Sequence, residues 1–101
     1  MRCPFEKKKK ASEADLACVL QALGDPVRLS IVRQLARQGE IPCGGFGIDM
    51  PKSTLSHHFR VLRDAGILGS RSEGTTIRNF LRRDEMEHRF PGILSGVLRN
   101  L

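Results

Sequence analysis

The sequence predicts a mainly α-helical domain with a small β-hairpin, and three patterns predict it. Apolar residues recur at three- and four-residue steps through 12–23, 26–38 and 52–65, the spacing that lines one side of a helix. After Gly66 the period falls to two through Ile67-Leu68-Gly69-Ser70-Arg71 and Thr75–Leu81, with Ser72-Glu73-Gly74 as the connecting turn. The third helical stretch, Lys52–Gly66, is divided: Leu55, His58, Phe59, Leu62 and Ala65 share one side, while Ser53, Ser56, His57, Arg60 and Arg63 share the other.

Size and charge narrow the reading. A chain of 101 residues with 40% hydrophobic content has room for one modest core. No apolar run approaches the ~18–20 residues of a membrane span. The start, MRCPFEKKKK, lacks the apolar stretch of a secretory signal, so a cytoplasmic protein without membrane contact is expected. Cysteines 3, 18 and 43 form no close pair, which favours free thiols. The net charge of +6 and pI near 9.9 suit a polyanionic partner. The excess is local: Lys52 to Arg83 holds seven basic residues against two acids.

Taken in order, residues 1–11 carry Arg2 and the run Lys7–Lys10 and are expected to form a flexible basic N-terminus, followed by one domain over 12–101. Ser12 suits an N-cap, with Glu13 and Asp15 against the positive helix end, before the stripe Leu16, Val19, Leu20 and Leu23. Gly24 closes that helix. Asp25 caps the next, with Pro26 at its first position, where a missing amide hydrogen costs nothing. Val27, Ile31, Val32, Leu35 and Ala36 form its buried stripe, and Arg28, Arg33 and Arg37 its wet side, up to Gly39. From Glu40 to Pro51 no period survives, so a compact loop with a short turn is expected, with Ile41, Phe46, Ile48 and Met50 tucked beneath the helices.

The divided helix follows over about 52–65. Its polar side has hydroxyls, an imidazole and guanidiniums but no acid, a chemistry suited to base edges and phosphates in the major groove of double-stranded DNA. Gly66 sits where a left-handed stop belongs. The hairpin spans about 67–82. In it, Ile77 and either Phe80 or Leu81 are expected to face the core, with Arg71 and Arg78 outward. Asp84 caps a last helical region, about 84–100, interrupted at Pro91-Gly92. Its stripe Ile93, Leu94, Val97, Leu98 and Leu101 is too apolar for an exposed chain end, so a partner helix is expected to cover it. The simplest partner is the same region, or the first helix with Leu16 and Leu20, of a second copy.

Helix, helix, loop, divided helix, two-stranded wing, helix is the order of a winged helix-turn-helix. From about Ser12 to Leu101 the chain resembles the ArsR/SmtB family of bacterial transcription regulators. LGDPVRLSIVRQL (23–35) is similar to the family's second-helix phrase, and STLSHHFRVLRDAGIL (53–68) to its recognition helix and entry into the wing. The resemblance implies a homodimer joined through first and last helices, with one recognition helix per subunit in successive major grooves of a roughly palindromic operator. It carries over Lys52, Ser53, Ser56, His57 and Arg60 as the DNA-facing set, and Arg71 and Arg78 as wing contacts. His58 and Phe59 match an inward pair. It further implies a repressor released by an effector. The chain departs from the family pattern at the Gly-rich segment 42–49 and in lacking a paired Cys-x-Cys, so the effector stays unassigned.

Competing chemistries find less support. Asp84 and His88 lie one turn apart, but two ligands without a spacing motif read better as surface contacts with Arg82, Arg83 or Arg89; no metal or cofactor is expected. The sequence holds no nucleophile elbow, no HExxH pair and no phosphate-cradling Gly-Lys-Ser/Thr, and CGGFG lacks the lysine such a loop needs. No catalytic residue is therefore expected. The remaining rival is a winged-helix module for protein–protein or RNA contact without operator specificity.

Overall fold

The computed structural model describes residues 13–101; the expected flexible start at 1–11 and the Ser12 cap lie outside the described residues. The order is α1 (Glu13–Leu23), α2 (Pro26–Gln38), β1 (Glu40–Pro42), a 3-10 turn (Cys43–Gly45), α3 (Lys52–Asp64), β2 (Leu68–Glu73), β3 (Thr76–Leu81), α4 (Arg83–Arg89) and α5 (Ile93–Arg99). This is the mainly α fold with a β-hairpin wing that the periodicities predict.

Local chemistry sets the boundaries. Asp25 caps α2 as expected, its Oδ2 accepting from the amides of Val27 at 2.9 Å and Arg28 at 3.1 Å, with Pro26 following. At the end of α3, Gly66 has φ 82°, a conformation only glycine enters without Cβ strain. Its N–H donates to Arg63 O at 3.0 Å, and that of Ile67 to Leu62 O at 3.1 Å, the paired bonds of a Schellman stop. Leu62 and Ile67, both fully buried, supply the apolar contact that accompanies this motif.

One core runs through the domain. Val19, Ala22 and Leu23 of α1, Ile31, Val32 and Leu35 of α2, and Phe59 and Leu62 of α3 meet Ile67, Leu68, Met86, Phe90 and Leu94. Each fully buried Leu, Ile or Phe contributes roughly 1.5–3 kcal/mol relative to exposure. The divided helix is thus fixed from one side only.

Several expectations are corrected. The segment after Gly39 begins with a strand, not a loop: β1 pairs antiparallel with β3, Ile41 opposite Asn79, making a three-stranded sheet of order β1-β3-β2. Three residues ending in proline carry no period, so only the non-local pairing reveals the strand. Beneath α3 the Gly-rich segment is pinned by Phe46, buried and 5.1 Å from the Phe59 ring, with Ile41 also buried and Ile48 and Met50 half-buried.

Ile77 does not reach the core; it is 46% exposed. It shares strand parity with Asn79 and Leu81, but residues 70–77 project beyond the helices, so nothing lies beneath it. Leu81 packs on the core, whereas Phe80 covers Gly69, its partner across β2 and β3. The wing turns at Gly74-Thr75, one residue later than expected. The interruption expected at Pro91-Gly92 divides the C-terminal region into α4 and α5, with Gly92 left-handed at φ 84°, but Asp84 is not the cap: α4 already begins at Arg83. Cys43 is a free thiol but Cys18 is disulfide-bonded, so the thiol expectation fails there.

Candidate nucleic-acid interface

The α3 surface is built by subtraction: the core takes Phe59, Leu62 and Ala65, half-buries Leu55 and His58, and leaves the opposite side in water. Lys52, Ser53, Ser56, His57 and Arg60 are all exposed. Among the described residues, none of their side chains hydrogen-bonds or ion-pairs with another. Pro51 provides no side-chain cap and the first turn has no acid, so the amides at the start of α3 also face outward as donors. Free donors at a positive helix end, beside Lys52 and Ser53, suit a phosphate.

His58 has a structural place, half-buried where three helices meet. Arg28 Nη1 donates to His58 Nδ1 at 3.1 Å, since a guanidinium only donates. The same guanidinium donates from Nε to Ala22 O at 2.6 Å and from Nη2 to Gln21 O at 3.2 Å, closing the last turn of α1. Arg28 is therefore no wet-side residue. It ties α1, α2 and α3 together. Asp25 completes the corner, 3.8 Å from His58. Burial raises the Asp25 carboxyl pKa, but the Arg28 amide, the Arg28 and His58 charges and the Val27 amide outweigh it, holding the group below its usual 3.8.

The wing cations are engaged in the free protein. Arg71 hydrogen-bonds Glu40 of β1 and lies 3.7 Å from Glu73, while Arg78 lies 3.6 Å from Glu73. The Glu40 hydrogen bond and charge raise the Arg71 pKa above its usual value. Arg71 and Arg78 stand opposite each other in the β2–β3 register, so the carboxylates also relieve their mutual repulsion. The sequence pattern puts Arg28 on the wet side of α2 and gives Glu40 no role. Neither has a local signal, because each acts on a residue distant in the chain.

The predicted contact residues thus form two groups: five on α3 without a hydrogen-bond or ion-pair partner among the described residues, and two on the wing already held by glutamates. Asp84 and His88 are exposed on α4, and no group of three or more His, Cys, Asp or Glu comes together among the described residues. No helix there is long and apolar enough to cross a membrane.

Residues 23–71, from the end of α1 to β2, match the model of a helix-turn-helix domain family. The uncharacterized HTH-type transcriptional regulator YceK of Bacillus subtilis is 36% identical over 96 residues, covering 92% of this chain and 96% of that protein. The HTH-type regulator MJ1325 of Methanocaldococcus jannaschii is 42% identical over 74 residues, 70% of this chain and 76% of its own. The crystal structure of an ArsR family transcriptional regulator, RHA00566, superposes with a TM-score of 0.68 at 21% identity, covering 77% of this chain and 81% of that one. This chain belongs to the ArsR/SmtB family.

The repressor BigR of Xylella fastidiosa has the same architecture, with a TM-score of 0.65 at 27% identity over 86% of each chain. As an ArsR/SmtB-family regulator the protein is a DNA-binding transcription factor and not an enzyme.

Between α1 and α5 runs an open apolar groove of about 520 Å³, lined by Leu20, Leu23, Leu29, Ile93, Val97 and Leu101 among others. Leu20 and Leu101 are 50% and 37% exposed, and Leu16, Ile93, Val97 and Leu98 are half-buried. Leu94 is 3% exposed and belongs to the chain's own core, so its methyl groups are committed within the monomer.

Proposed function

We propose that this ArsR/SmtB-family protein is a dimeric, sequence-specific DNA-binding repressor that occludes a promoter and is released by an effector. The observation that carries the DNA reading is the α3 face: Lys52, Ser53, Ser56, His57 and Arg60 are exposed on a helix packed from behind, and among the described residues their side chains make no hydrogen bond or ion pair. Hydroxyls and guanidiniums so placed offer donors to base edges, and the Lys52 end offers donors to a phosphate. Arg71 and Arg78 act from the wing on the backbone, exchanging Glu40 and Glu73 for phosphates. The α1–α5 groove supports the pairing: covering Leu20, Ile93, Val97 and Leu101 with a second copy removes its apolar lining from water. Two recognition helices would then meet a near-palindrome with half-sites about 34–36 Å apart or a multiple of that. Relief by an effector requires that it bind one arrangement of the α1–α5 interface better than the other.

The test starts with selection from a random-sequence duplex library, followed by fluorescence anisotropy on the recovered site and on random duplex. Ser56→Ala and Arg60→Ala are each expected to weaken the selected site by about 1–3 kcal/mol and to narrow its advantage over random DNA. If Arg60→Ala leaves both affinities intact, the docking face is wrong. If no site is enriched and binding is insensitive to salt, the protein is instead a module for protein or RNA contact.

A further inference from the structure

Asn79 is the fully buried polar residue of the core, at 0% exposure. It stands in β3, the central strand, opposite Ile41 of β1 and Ser70 of β2. Its Nδ2 donates to Ile41 O at 3.4 Å and to Cys43 Sγ at 3.3 Å, and its Oδ1 accepts from Ser70 Oγ at 3.0 Å. Ser70 Oγ in turn accepts from Arg63 Nη1 at 3.3 Å. The polarity of this chain is fixed at both ends. A backbone carbonyl can only accept and a guanidinium can only donate, so the amide and the hydroxyl have one orientation that satisfies every member. At its buried end the Asn79 amide holds one geometry, because any other leaves a buried donor or acceptor unmade, and the chain runs from there out to exposed Ser70 and Arg63.

The residue at the solvent end is Arg63, in the last turn of α3. It continues the row Ser53, Ser56, Arg60 at helical steps of three, four and three, and it is exposed like them. An exposed arginine normally has rotamer freedom to lose on binding. Here a bond to Ser70 restricts it, at the junction where the recognition helix meets the wing.

We propose that Arg63 is a DNA phosphate-binding residue, and that Ser70 and Asn79 are positioning residues that hold its guanidinium towards the backbone between recognition helix and wing. The inference rests on the DNA-binding reading above. It adds a contact that joins the two elements, and it gives the buried amide of the wing a role in the affinity of α3.

The experiment is a double-mutant cycle on the exposed pair, since replacing Asn79 tests folding as well as binding. Wild type, Arg63→Gln, Ser70→Ala and the double variant are titrated by anisotropy against the selected duplex and against random-sequence duplex, each over a salt series. Arg63→Gln is expected to weaken both duplexes by about tenfold, as for one charge-assisted hydrogen bond, and to flatten the log–log salt slope by about 0.9, one phosphate. Ser70→Ala is expected to weaken binding about threefold. The double variant should be no weaker than Arg63→Gln alone, because the hydroxyl acts through the guanidinium. A wild-type salt slope for Arg63→Gln overturns the phosphate contact, and strictly additive losses overturn the positioning role. If wild type binds neither duplex, the DNA reading itself falls, which is a distinct outcome from wild-type binding with an indifferent Arg63.

Discussion

The Arg28 corner offers a direct check on how the recognition helix is held. Arg28→Ala deletes three donors at once: to Ala22 O at 2.6 Å, to Gln21 O at 3.2 Å and to His58 Nδ1 at 3.1 Å. Hydrogen bonds from a charged donor contribute about 1.5–3 kcal/mol each when desolvated. The Gln21 bond is exposed and the other two are partly buried, so the lower end applies and water replaces part of the loss. A destabilisation of about 2–4 kcal/mol follows, a large fraction of the ~5–15 kcal/mol that holds a small domain. Urea unfolding followed by circular dichroism should show the midpoint falling at unchanged m, because the surface exposed on unfolding is the same. Arg28→Lys keeps the charge without the planar fork, and it should recover less than half of the loss. In a cycle with His58→Ala, the coupling energy isolates the link from α2 to the recognition helix. A loss below about 0.5 kcal/mol for Arg28→Ala would refute the argument, since that is the range of an ordinary surface substitution.

Three further outcomes follow from other contacts. Glu40→Gln releases Arg71 from its hydrogen-bonded carboxylate, so affinity for random duplex should rise and the salt slope steepen by up to about 0.9; an unchanged slope would mean that Arg71 stays away from phosphate. Because the folded Asp25 carboxyl lies below its usual 3.8, folding favours its ionised form: that stabilisation is complete above pH 3.8 and disappears as pH falls through the lower folded value. Asp25→Asn, which keeps a cap acceptor, should therefore flatten the acid limb of stability against pH below 3.8, and an unaltered limb would contradict the assignment. Gly69→Ala would place a Cβ 2.4 Å from Phe80 Cζ and force the ring off β2, with an expected cost of about 1–3 kcal/mol in thermal or urea unfolding; a neutral effect would show that Phe80 moves freely.

How much of this was legible in the sequence depends on range. Helix α2 declared itself through Asp25-Pro26, and α3 through the two-sided pattern that ends at Gly66, because caps and periodicity act within one or two turns. The wing was legible as alternation around a glycine turn. What escaped depends on pairing across the chain: β1 becomes a strand only because β3 accepts it, and Asn79, polar in a short strand, reads as a surface residue until β1 and β2 close over it. Arg28 likewise looks like one of three solvent-facing arginines, yet its guanidinium is spent on the end of α1 and on His58. On the candidate interface, the exposure of Ser53, Ser56, His57 and Arg60 was visible from helical phase, while Lys52 entered through the family resemblance. The glutamates holding Arg71 and Arg78 were not, because charge pairing across strands leaves no periodic trace.

The sheet brackets α3 on both sides: β1 enters it through the 3-10 turn, β2 leaves it through Gly66, and both strands are bonded to β3. Helix and wing are therefore a closed circuit, clamped where it opens and where it shuts. A signal that leaves the strands paired cannot tilt the reading head against its own wing. It has to carry the whole circuit, so in the proposed dimer control would act on the separation between two such heads rather than on the shape of either.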